Sequence, residues 1–286
     1  MPQISVIMSV YNDEKNLPAA IESILSQTFD DFEFIITEDC SKDNSLQVLQ
    51  KYAEKDNRIV LIENKENLKL TKNLNKMLSI AKGDLIARMD SDDISLPERF
   101  EKQVNIFNEY PDTDFVFTST MLMDKDGNDL CESWRPEAIK SILGHMKYDS
   151  YIPHPTIMAR KEIFAKAGNY TEIKGYGQED KELWEKFIAN GVNFHYLNEI
   201  LLRYRLNPAG ISFNVRNYSK DEIYNYKKIN ICIDNYRRKR AIELYKQNSG
   251  NIPLRYKLFL LIKFLIPNRI RFYKSVLMKK MKLKKA

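Results

Sequence analysis

Three carboxylates stand within four residues in the segment from Asp90 to Asp93. They follow the apolar run Leu85–Ala87, which predicts a buried strand of a parallel sheet. Carboxylate oxygens are hard ligands for Mg²⁺ or Mn²⁺, and such a cation can hold the phosphates of a nucleotide. An ordinary acidic turn, with Ser91 or an aspartate capping the next helix, would use the same residues.

A second acidic pair, Glu179 and Asp180, begins a predicted helix over residues 179–190. Acidic side chains in the first turn of a helix are ordinary partners of the helix dipole, and alone that interpretation is favoured. A carboxylate beside a reacting hydroxyl can also act as a general base. The two clusters together favour chemistry, one holding a cation and the other removing a proton.

The elements that must position these residues alternate between strand and helix in the first half of the chain. Apolar runs predict four strands, at 4–10, 32–37, 58–63 and 85–89. Helical periodicity predicts three helices, from residue 12 or 13 to 27, after Asp43, and over 70–81 with Gly83 as the stop. This order indicates a parallel, doubly wound α/β sheet, which binds ligands beyond the carboxyl ends of its strands.

The second half of the chain is less regular. Turn residues and apolar runs predict a hairpin around 126–128, strands at 154–159 and 193–205, and a stop at Gly191 for the helix over 179–190. Beyond about Arg216, basic segments rich in Tyr, Ile and Leu predict helices, with breaks near Pro253 and at Pro267.

Composition limits the class of protein. The chain has 286 residues, 43% of them hydrophobic, which suits a large α/β domain with an appendage. Its three cysteines, Cys40, Cys131 and Cys232, are far apart in sequence, so we expect no disulfide framework or zinc site and a reducing cytosol. We identify neither a signal-type N-terminus nor an apolar run of the ~18–20 residues that spans a bilayer.

The charge is divided between the two parts of the chain. Residues 216–286 carry 20 Lys and Arg against 4 Asp and Glu, a net +16, and the first 215 residues carry the remaining 25 basic and 35 acidic side chains, a net −10. The apolar segment 256–266 and the lysine-rich stretch 274–285 are typical of an interfacial helix on anionic lipid. A helix packed on the body of the protein with a solvated basic rim is the alternative. Nucleic-acid binding is disfavoured, because aliphatic residues accompany the charge.

Several separated motifs then resemble one family. They are Val6–Asn12, Glu38–Ser45, Asn67–Asn75, the acidic turn at 90–93 and Gly175–Trp184. Together they resemble the inverting family 2 glycosyltransferases of the GT-A fold, from Ile4 to about Ser212. The chain departs from the family pattern at four positions, with Ser9 for Pro, Cys40 and Lys69 for Gly, and no His shortly after Arg205.

The resemblance implies a nucleotide-sugar donor, with UDP as the commonest nucleotide of the family. Tyr11 would stack on the base, Asp39 would accept hydrogen bonds from it, and Lys72 would approach the base or the phosphates. The acidic turn would bind the ribose and an Mn²⁺ or Mg²⁺ ion. In this turn, Asp90, Ser91 and Asp92 would contact the nucleotide, and Asp92 and Asp93 are the candidate metal ligands.

On the acceptor side, the resemblance makes Asp180 the catalytic base and gives Glu179 a role in orienting the acceptor or Asp180. His154 and Trp184 are further acceptor-side candidates, although a His before Pro is equally a structural loop residue. Tyr204–Arg205 and Ile211–Ser212 resemble the segment that closes over the donor. The Q-x-x-R-W motif of processive synthases is absent from the sequence, so we expect one or a few sugars to be added per acceptor.

We therefore expect a GT-A catalytic domain at 1–215 and a basic helical region at 216–286. The expected enzyme is a hexosyl- or N-acetylhexosaminyl-type transferase that acts on a glycan or lipid-linked saccharide in cell-surface polysaccharide synthesis. Residues 250–286 would place it peripherally on the inner face of the cell membrane. Two other readings stay open: a catalytically silent nucleotide-sugar-binding scaffold, and a sugar-phosphate nucleotidyltransferase.

Overall fold

The computed structural model describes residues 1–133, 152–172, 179–208, 219–234 and 238–265. The motif residues 175–178, the segment Ile211–Ser212, Pro267 and the lysine-rich stretch 274–285 lie outside the described residues. The strands are β1 (Ile4–Val10), β2 (Phe32–Glu38), β3 (Ile59–Glu63), β4 (Leu85–Arg88), β5 (Ile94–Ser95), β6 (Phe115–Met123), β7 (Asp129–Glu132), β8 (Met158–Arg160) and β9 (Phe194–Arg205). The α-helices are α1 (Leu17–Leu25), α2 (Ser45–Ala53), α3 (Lys69–Ile80), α4 (Arg99–Glu109), α5 (Lys161–Ala167), α6 (Glu179–Ala189), α7 (Lys220–Asp234), α8 (Arg238–Asn248) and α9 (Leu254–Leu265).

All described strands join one sheet in the order β3-β2-β1-β4-β8-β6-β9-β5, with β7 paired to β6. The first four strands pair in parallel, as the alternating pattern predicts. Beyond β4 the sheet is mixed, because β8 runs antiparallel to both β4 and β6 while β9 runs parallel to β6. The carboxyl ends of β1, β2 and β4 therefore meet at one edge, where Tyr11, Asp39 and Asp90 follow the strands.

Helices cover the two faces of the sheet and form two hydrophobic clusters. One face buries α1 and α4, and the other buries α3, α5 and α6. Trp184 and Phe187 of α6 contact the ring of Phe115 on β6, with centroids 4.9 and 5.8 Å apart. Because these large side chains are fully buried, they fix α6 against the sheet and hold its acidic first turn in place.

Two predicted helix ends differ from the structure. Helix α1 begins at Leu17, not at residue 12 or 13, since Pro18 belongs in a first helical turn and Asn12 adopts a left-handed backbone with φ of 53°. Helix α3 ends at Ile80, and Gly83 is not its cap. A Cβ atom at Gly83 would lie 2.6 Å from the backbone nitrogen of Ser5, so glycine is needed there for the close approach of β1.

The predicted strand over 154–159 is only partly correct. Residues 154–156 form a short 3₁₀ turn, and the strand β8 begins at Met158. Pro153 and Pro155 cannot donate to a strand ladder, which disfavours an early start of the strand. The Thr156 hydroxyl instead donates to the Pro153 carbonyl oxygen at 2.8 Å, which closes the turn.

Helices α7, α8 and α9 form a third cluster with the β6–β7 hairpin. The cluster brings Cys131 on β7 and Cys232 on α7 together, with their Sγ atoms 3.2 Å apart, and the two residues are not joined by a disulfide. Their separation in sequence gave no indication of this contact. Within the described parts of the chain, every helix is too short or too polar to cross a membrane.

Candidate active site

The acidic turn after β4 is held from both ends. Asp90 forms an ion pair with Arg88, whose side chain is buried at the end of the strand. On the other side, β9 reaches across the turn: the backbone N–H of Arg205 donates to Asp93 Oδ1 at 2.8 Å, and its Nε donates to the Asp92 carbonyl oxygen at 2.7 Å. The turn is therefore fixed by two strands that lie far apart in sequence.

Asp92 and Asp93 have different environments. Asp92 is half-buried, and its Oδ2 accepts a hydrogen bond from Asn207 Nδ2 at 3.0 Å. Burial, with the charges of Asp90 and Asp13, raises the pKa of Asp92 to about 7. Asp93 is only 1% exposed, and burial together with Asp92 raises its pKa well above the usual value. Asp92 is thus accessible to a ligand, whereas Asp93 points into the protein.

Asp13 joins this cluster, a role that the sequence interpretation missed. Its Oδ2 accepts a hydrogen bond from the Ser91 hydroxyl at 2.7 Å, and burial raises its pKa. The sequence suggested residue 13 only as a possible start of the first helix. A signal was nevertheless present, because Asp13 follows β1, and the carboxyl ends of neighbouring parallel strands meet at one edge.

The cluster has the chemistry of a cation site in which a bound ligand supplies the remaining donor atoms. The carboxylates of Asp13, Asp90 and Asp92 lie close together, and repulsion by Asp13 and Asp90 contributes to the raised pKa of Asp92. In the described ranges, no three acidic, His or Cys side chains are arranged to hold a metal ion by themselves. Mg²⁺ is commonly held by one or two carboxylates together with substrate phosphates and water, and this donor set fits that pattern.

Arg88 connects the two acidic clusters. It pairs with Asp90, and although burial alone would lower its pKa, the Asp90 charge raises that pKa above its usual value. The positive charge of Arg88 also opposes the rise in the pKa of Asp180 that burial causes. The charges of Arg88, Asp180 and Asp90 all act on the pKa of the buried Tyr170 hydroxyl. The turn after β4 and the first turn of α6 therefore lie within electrostatic reach of one guanidinium group.

Asp180 has an environment suited to a base. It lies half-buried in the first turn of α6, where burial and the neighbouring Glu179 raise its pKa to about 6. The backbone N–H of Lys181 donates to its Oδ1 at 2.6 Å and opposes this rise. A carboxylate with a pKa near 6 is ionised at neutral pH and is more basic than an exposed aspartate.

The structure buries both His154 and Trp184. Trp184 is fully buried, and His154 is 8% exposed and packs on it with ring centroids 5.6 Å apart. The His154 Nε2 atom lies 2.7 Å from the Tyr170 hydroxyl, and burial lowers the pKa of His154 well below its usual value. Their burial does not favour the acceptor contacts expected from the sequence, since Trp184 packs inside a hydrophobic cluster and His154 packs on Trp184.

On the opposite side of the acidic turn, Asp39 binds the start of α3. Its Oδ1 accepts from the backbone N–H of Leu68 at 2.7 Å and from Asn64 Nδ2 at 3.0 Å, and its Oδ2 accepts from the backbone N–H of Lys69 at 3.0 Å. Asp39, for which the sequence resemblance implied only a contact with the base, is 2% exposed. Because a carboxylate has about four acceptor positions, one remains on Asp39 for a further donor.

The other two nucleotide-side candidates lie at the surface. Tyr11 is 45% exposed at the end of β1, so its ring is open to stacking. Lys72 is exposed on α3, and its Nζ lies 3.7 Å from Glu172 Oε2 in a solvent-exposed ion pair. Such pairs contribute little stability, which leaves the Lys72 ammonium able to exchange partners.

Two positions where the family has glycine keep a glycine-like backbone here. Cys40 has φ of 59° and Lys69 has φ of 68°, both in the left-handed region. An L-residue pays about 1–2 kcal/mol for that conformation. Both lie beside Asp39, so the loops that surround this carboxylate are strained, as is common at binding sites.

We expect Lys69→Gly to raise the free energy of unfolding by about 0.5–1 kcal/mol, because relief of backbone strain exceeds the extra entropy of an unfolded glycine. Asn169→Gly is the matched control, since Asn169 has φ of 56° and asparagine tolerates this region. Urea unfolding of the full-length chain measures both. A gain for Asn169→Gly that equals or exceeds that for Lys69→Gly would contradict this interpretation.

Comparison with known proteins gives a consistent family. The family model "Glycosyl transferase family 2" matches residues 5–168. The putative glycosyltransferase EpsE of Bacillus subtilis is 35% identical over 234 residues, covering 77% of this chain and 79% of EpsE. The O-antigen biosynthesis glycosyltransferase WbnJ of Escherichia coli is 36% identical over 211 residues, covering 72% of this chain and 80% of WbnJ.

Solved structures agree on the fold. S. aureus TarS 1–349 in complex with UDP-GlcNAc superposes with a TM-score of 0.62 at 19% identity, covering 87% of this chain and 72% of TarS 1–349. The mannosyltransferase PcManGT from Pyrobaculum calidifontis, in complex with GDP-Man and Mn²⁺, gives a TM-score of 0.59 at 13% identity, covering 98% of this chain and 86% of PcManGT. The two structures confirm the expected GT-A fold. The matched family model and the two relatives show that the chain is a glycosyltransferase of family 2.

Proposed function

We propose that this enzyme transfers a sugar from a nucleoside-diphosphate sugar to a hydroxyl of a glycan or lipid-linked acceptor, with inversion at the anomeric carbon. The observation that carries the proposal is that Arg88 pairs with Asp90 while its charge also acts on Asp180. It indicates one cleft in which the acidic turn faces a donor diphosphate and Asp180 faces an incoming hydroxyl.

For the donor, we propose a UDP-sugar, in agreement with the UDP-GlcNAc bound by TarS. Tyr11 is exposed for stacking on the base, and Asp39 has one acceptor position left for the base N–H group. Asp90 and Ser91 would bind the ribose. Lys72 would exchange Glu172 for a phosphate oxygen. The sugar itself would be a hexose or an N-acetylhexosamine.

We propose that Asp92, with Asp90 or Asp13 nearby, holds a divalent cation together with the diphosphate. An Mn²⁺ ion is present in the PcManGT complex, which supports this cofactor class. A cation bound there would neutralise the charge that develops on the departing nucleoside diphosphate. Asp93 supports the turn from below through its contact with the Arg205 backbone.

The proposed reaction is a single in-line displacement. Asp180 takes the proton of the acceptor hydroxyl while the acceptor oxygen forms a bond to the anomeric carbon. The bond from that carbon to the diphosphate oxygen breaks, and the electron pair leaves with the nucleoside diphosphate. Glu179 keeps the pKa of Asp180 high, which strengthens the base. Arg88 acts through Asp90 and Asp180, and is a positioning residue.

The raised pKa of Asp180 predicts the pH dependence of turnover. Asp180 acts as a base only when ionised, so kcat should fall as the pH is lowered through about 6, approaching a ~10-fold loss per unit in the acid limb. Rates at saturating donor and Mn²⁺ measure this profile, with donor affinity determined at each pH as the control. A kcat that stays flat well below pH 6 would be inconsistent with Asp180 as the base.

For the acceptor, we propose a growing cell-surface polysaccharide or its lipid-linked precursor. The relative WbnJ supports a cell-surface pathway, since it is an O-antigen biosynthesis glycosyltransferase. The net charge of +16 over residues 216–286 supports work at the inner face of the cell membrane, whose lipids are anionic.

Incubation with a panel of UDP-, GDP- and TDP-sugars and Mn²⁺ tests the proposed donor class. Slow hydrolysis that releases the nucleoside diphosphate from one of these donors is the expected result. Pyrophosphate-dependent turnover would instead favour a nucleotidyltransferase. Tight donor binding without hydrolysis, even after acceptor extracts are added, would favour a silent binding protein.

A further inference from the structure

Helix α9 has an inner side that holds it on the protein. Leu260 is fully buried in the third hydrophobic cluster. The Tyr256 ring stacks on Tyr226 of α7 with centroids 4.3 Å apart, and Phe264 meets Tyr245 of α8 edge-on at 6.0 Å. These contacts fix the rotation of α9 and therefore determine which of its residues face outward.

The outer side of α9 is also apolar. Leu254 is 71% exposed, Leu258 and Ile262 are each 55% exposed, and Leu261 is 45% exposed. At 3.6 residues per turn, these four side chains fall within an arc of about 100° on the helix surface. We call them the α9 outer row. A row of large aliphatic side chains in water marks a surface that meets an apolar partner.

Basic residues flank the α9 outer row. Arg255 is exposed beside it, and Lys257 is half-buried on its other flank. They belong to the segment 216–286 with its excess of 16 positive charges. A row of aliphatic side chains bordered by cations is the pattern of helices that lie in the headgroup region of an anionic bilayer.

We propose that the α9 outer row is a membrane-docking surface that inserts into the headgroup region of an anionic lipid bilayer. The basic residues on its flanks are attracted to the anionic lipid headgroups, and the four aliphatic side chains supply the apolar contact with the bilayer. The inference deepens the proposed function, since a lipid-linked acceptor would lie in the same bilayer. It assigns the contact to one face of one helix.

Charge disfavours a second copy of the chain as the occupant of this surface. Two α9 outer rows in contact would bring together two strongly basic segments, and like charges across an interface are costly. An anionic bilayer has the opposite charge and an apolar interior. It therefore complements both properties of this surface.

The test uses the full-length chain with vesicles of phosphatidylcholine alone or mixed with phosphatidylglycerol. Leu258→Glu with Ile262→Glu places two carboxylates in the α9 outer row without changing the buried side of the helix. The matched control is Ile80→Glu with Ile188→Glu, which adds the same charge at exposed positions on α3 and α6. Sedimentation at low and raised salt measures partition, and gel filtration and thermal unfolding are run on each variant.

We expect the wild-type chain and the control to bind the phosphatidylglycerol vesicles, more weakly at raised salt, and the α9 variant to partition ~10-fold or more less. Equal binding by the two variants would overturn the proposal. The proposal would also be overturned if the wild-type chain were a dimer that only the α9 substitutions dissociate, or if only the α9 variant lost thermal stability. Either result would show that protein covers the α9 outer row. Donor hydrolysis is measured separately in the absence of vesicles, so that a failure of the proposed function can be distinguished from a failure of membrane docking.

Discussion

Asp180→Asn is expected to lower kcat by at least ~10²–10⁴-fold and to leave donor affinity within about twofold of wild type. The amide keeps the size of the side chain and can still accept the hydrogen bond from the Lys181 N–H. It cannot take a proton, so the general-base contribution is lost. Donor affinity is expected to survive because α6 is fixed by its buried rings. Isothermal titration of UDP and transfer assays measure the two quantities.

Two variants of the same helix serve as controls. Glu179→Gln should lower kcat less and shift the acid limb of the pH profile to lower pH, because Glu179 raises the pKa of Asp180. Glu185→Gln should have no effect on kcat, since Glu185 is 50% exposed and its nearest ionic partner is Lys181 at 3.9 Å. Turnover by Asp180→Asn at a tenth of the wild-type rate or more would remove Asp180 from the role of base.

The second large effect is expected at the acidic turn. Asp92→Asn should weaken Mn²⁺-dependent UDP binding by ~10-fold or more and lower kcat/KM by ~10²-fold or more, because a neutral amide is a poorer ligand for a hard cation. Titration of UDP with and without Mn²⁺ measures the loss. The affinity without metal should change little, since the base and ribose contacts that we propose are made by Tyr11, Asp39, Asp90 and Ser91.

Asp93→Asn is the matched comparison. It keeps an acceptor for the Arg205 backbone N–H and removes a buried charge. We expect it to retain the Mn²⁺ dependence of UDP binding. Wild-type metal dependence in Asp92→Asn, or its loss in Asp93→Asn, would reverse the assignment of the two carboxylates.

Several features of the fold follow from sequence because they depend on neighbouring residues. The alternation of apolar runs and helical periodicity predicted β1 to β4 and the helices between them to within a few residues. The same order predicted a parallel arrangement of these strands, which the structure confirms. The errors occurred at helix ends and at 154–156, where prolines and a close backbone approach determine the boundary.

The candidate site was predictable only in part. Asp90, Asp92, Asp93 and Asp180 were found because each belongs to a dense local cluster of carboxylates. Their different surroundings could not be read from that cluster, since the contact of Arg205 with Asp93 joins residues 112 positions apart. Which carboxylate is buried is determined by how β9 crosses the turn.

The sequence alone therefore determined the order of strands and helices, the two acidic clusters and the basic character of residues 216–286. Tertiary structure decided that the charge of Arg88 acts on both clusters, that Asp13 joins the acidic turn, that Trp184 is buried, and that α9 turns four aliphatic side chains outward. The physical reason is the range of the interactions. Periodicity and turn chemistry act over a few residues, whereas burial and the pairing of charges depend on which distant segments the sheet brings together.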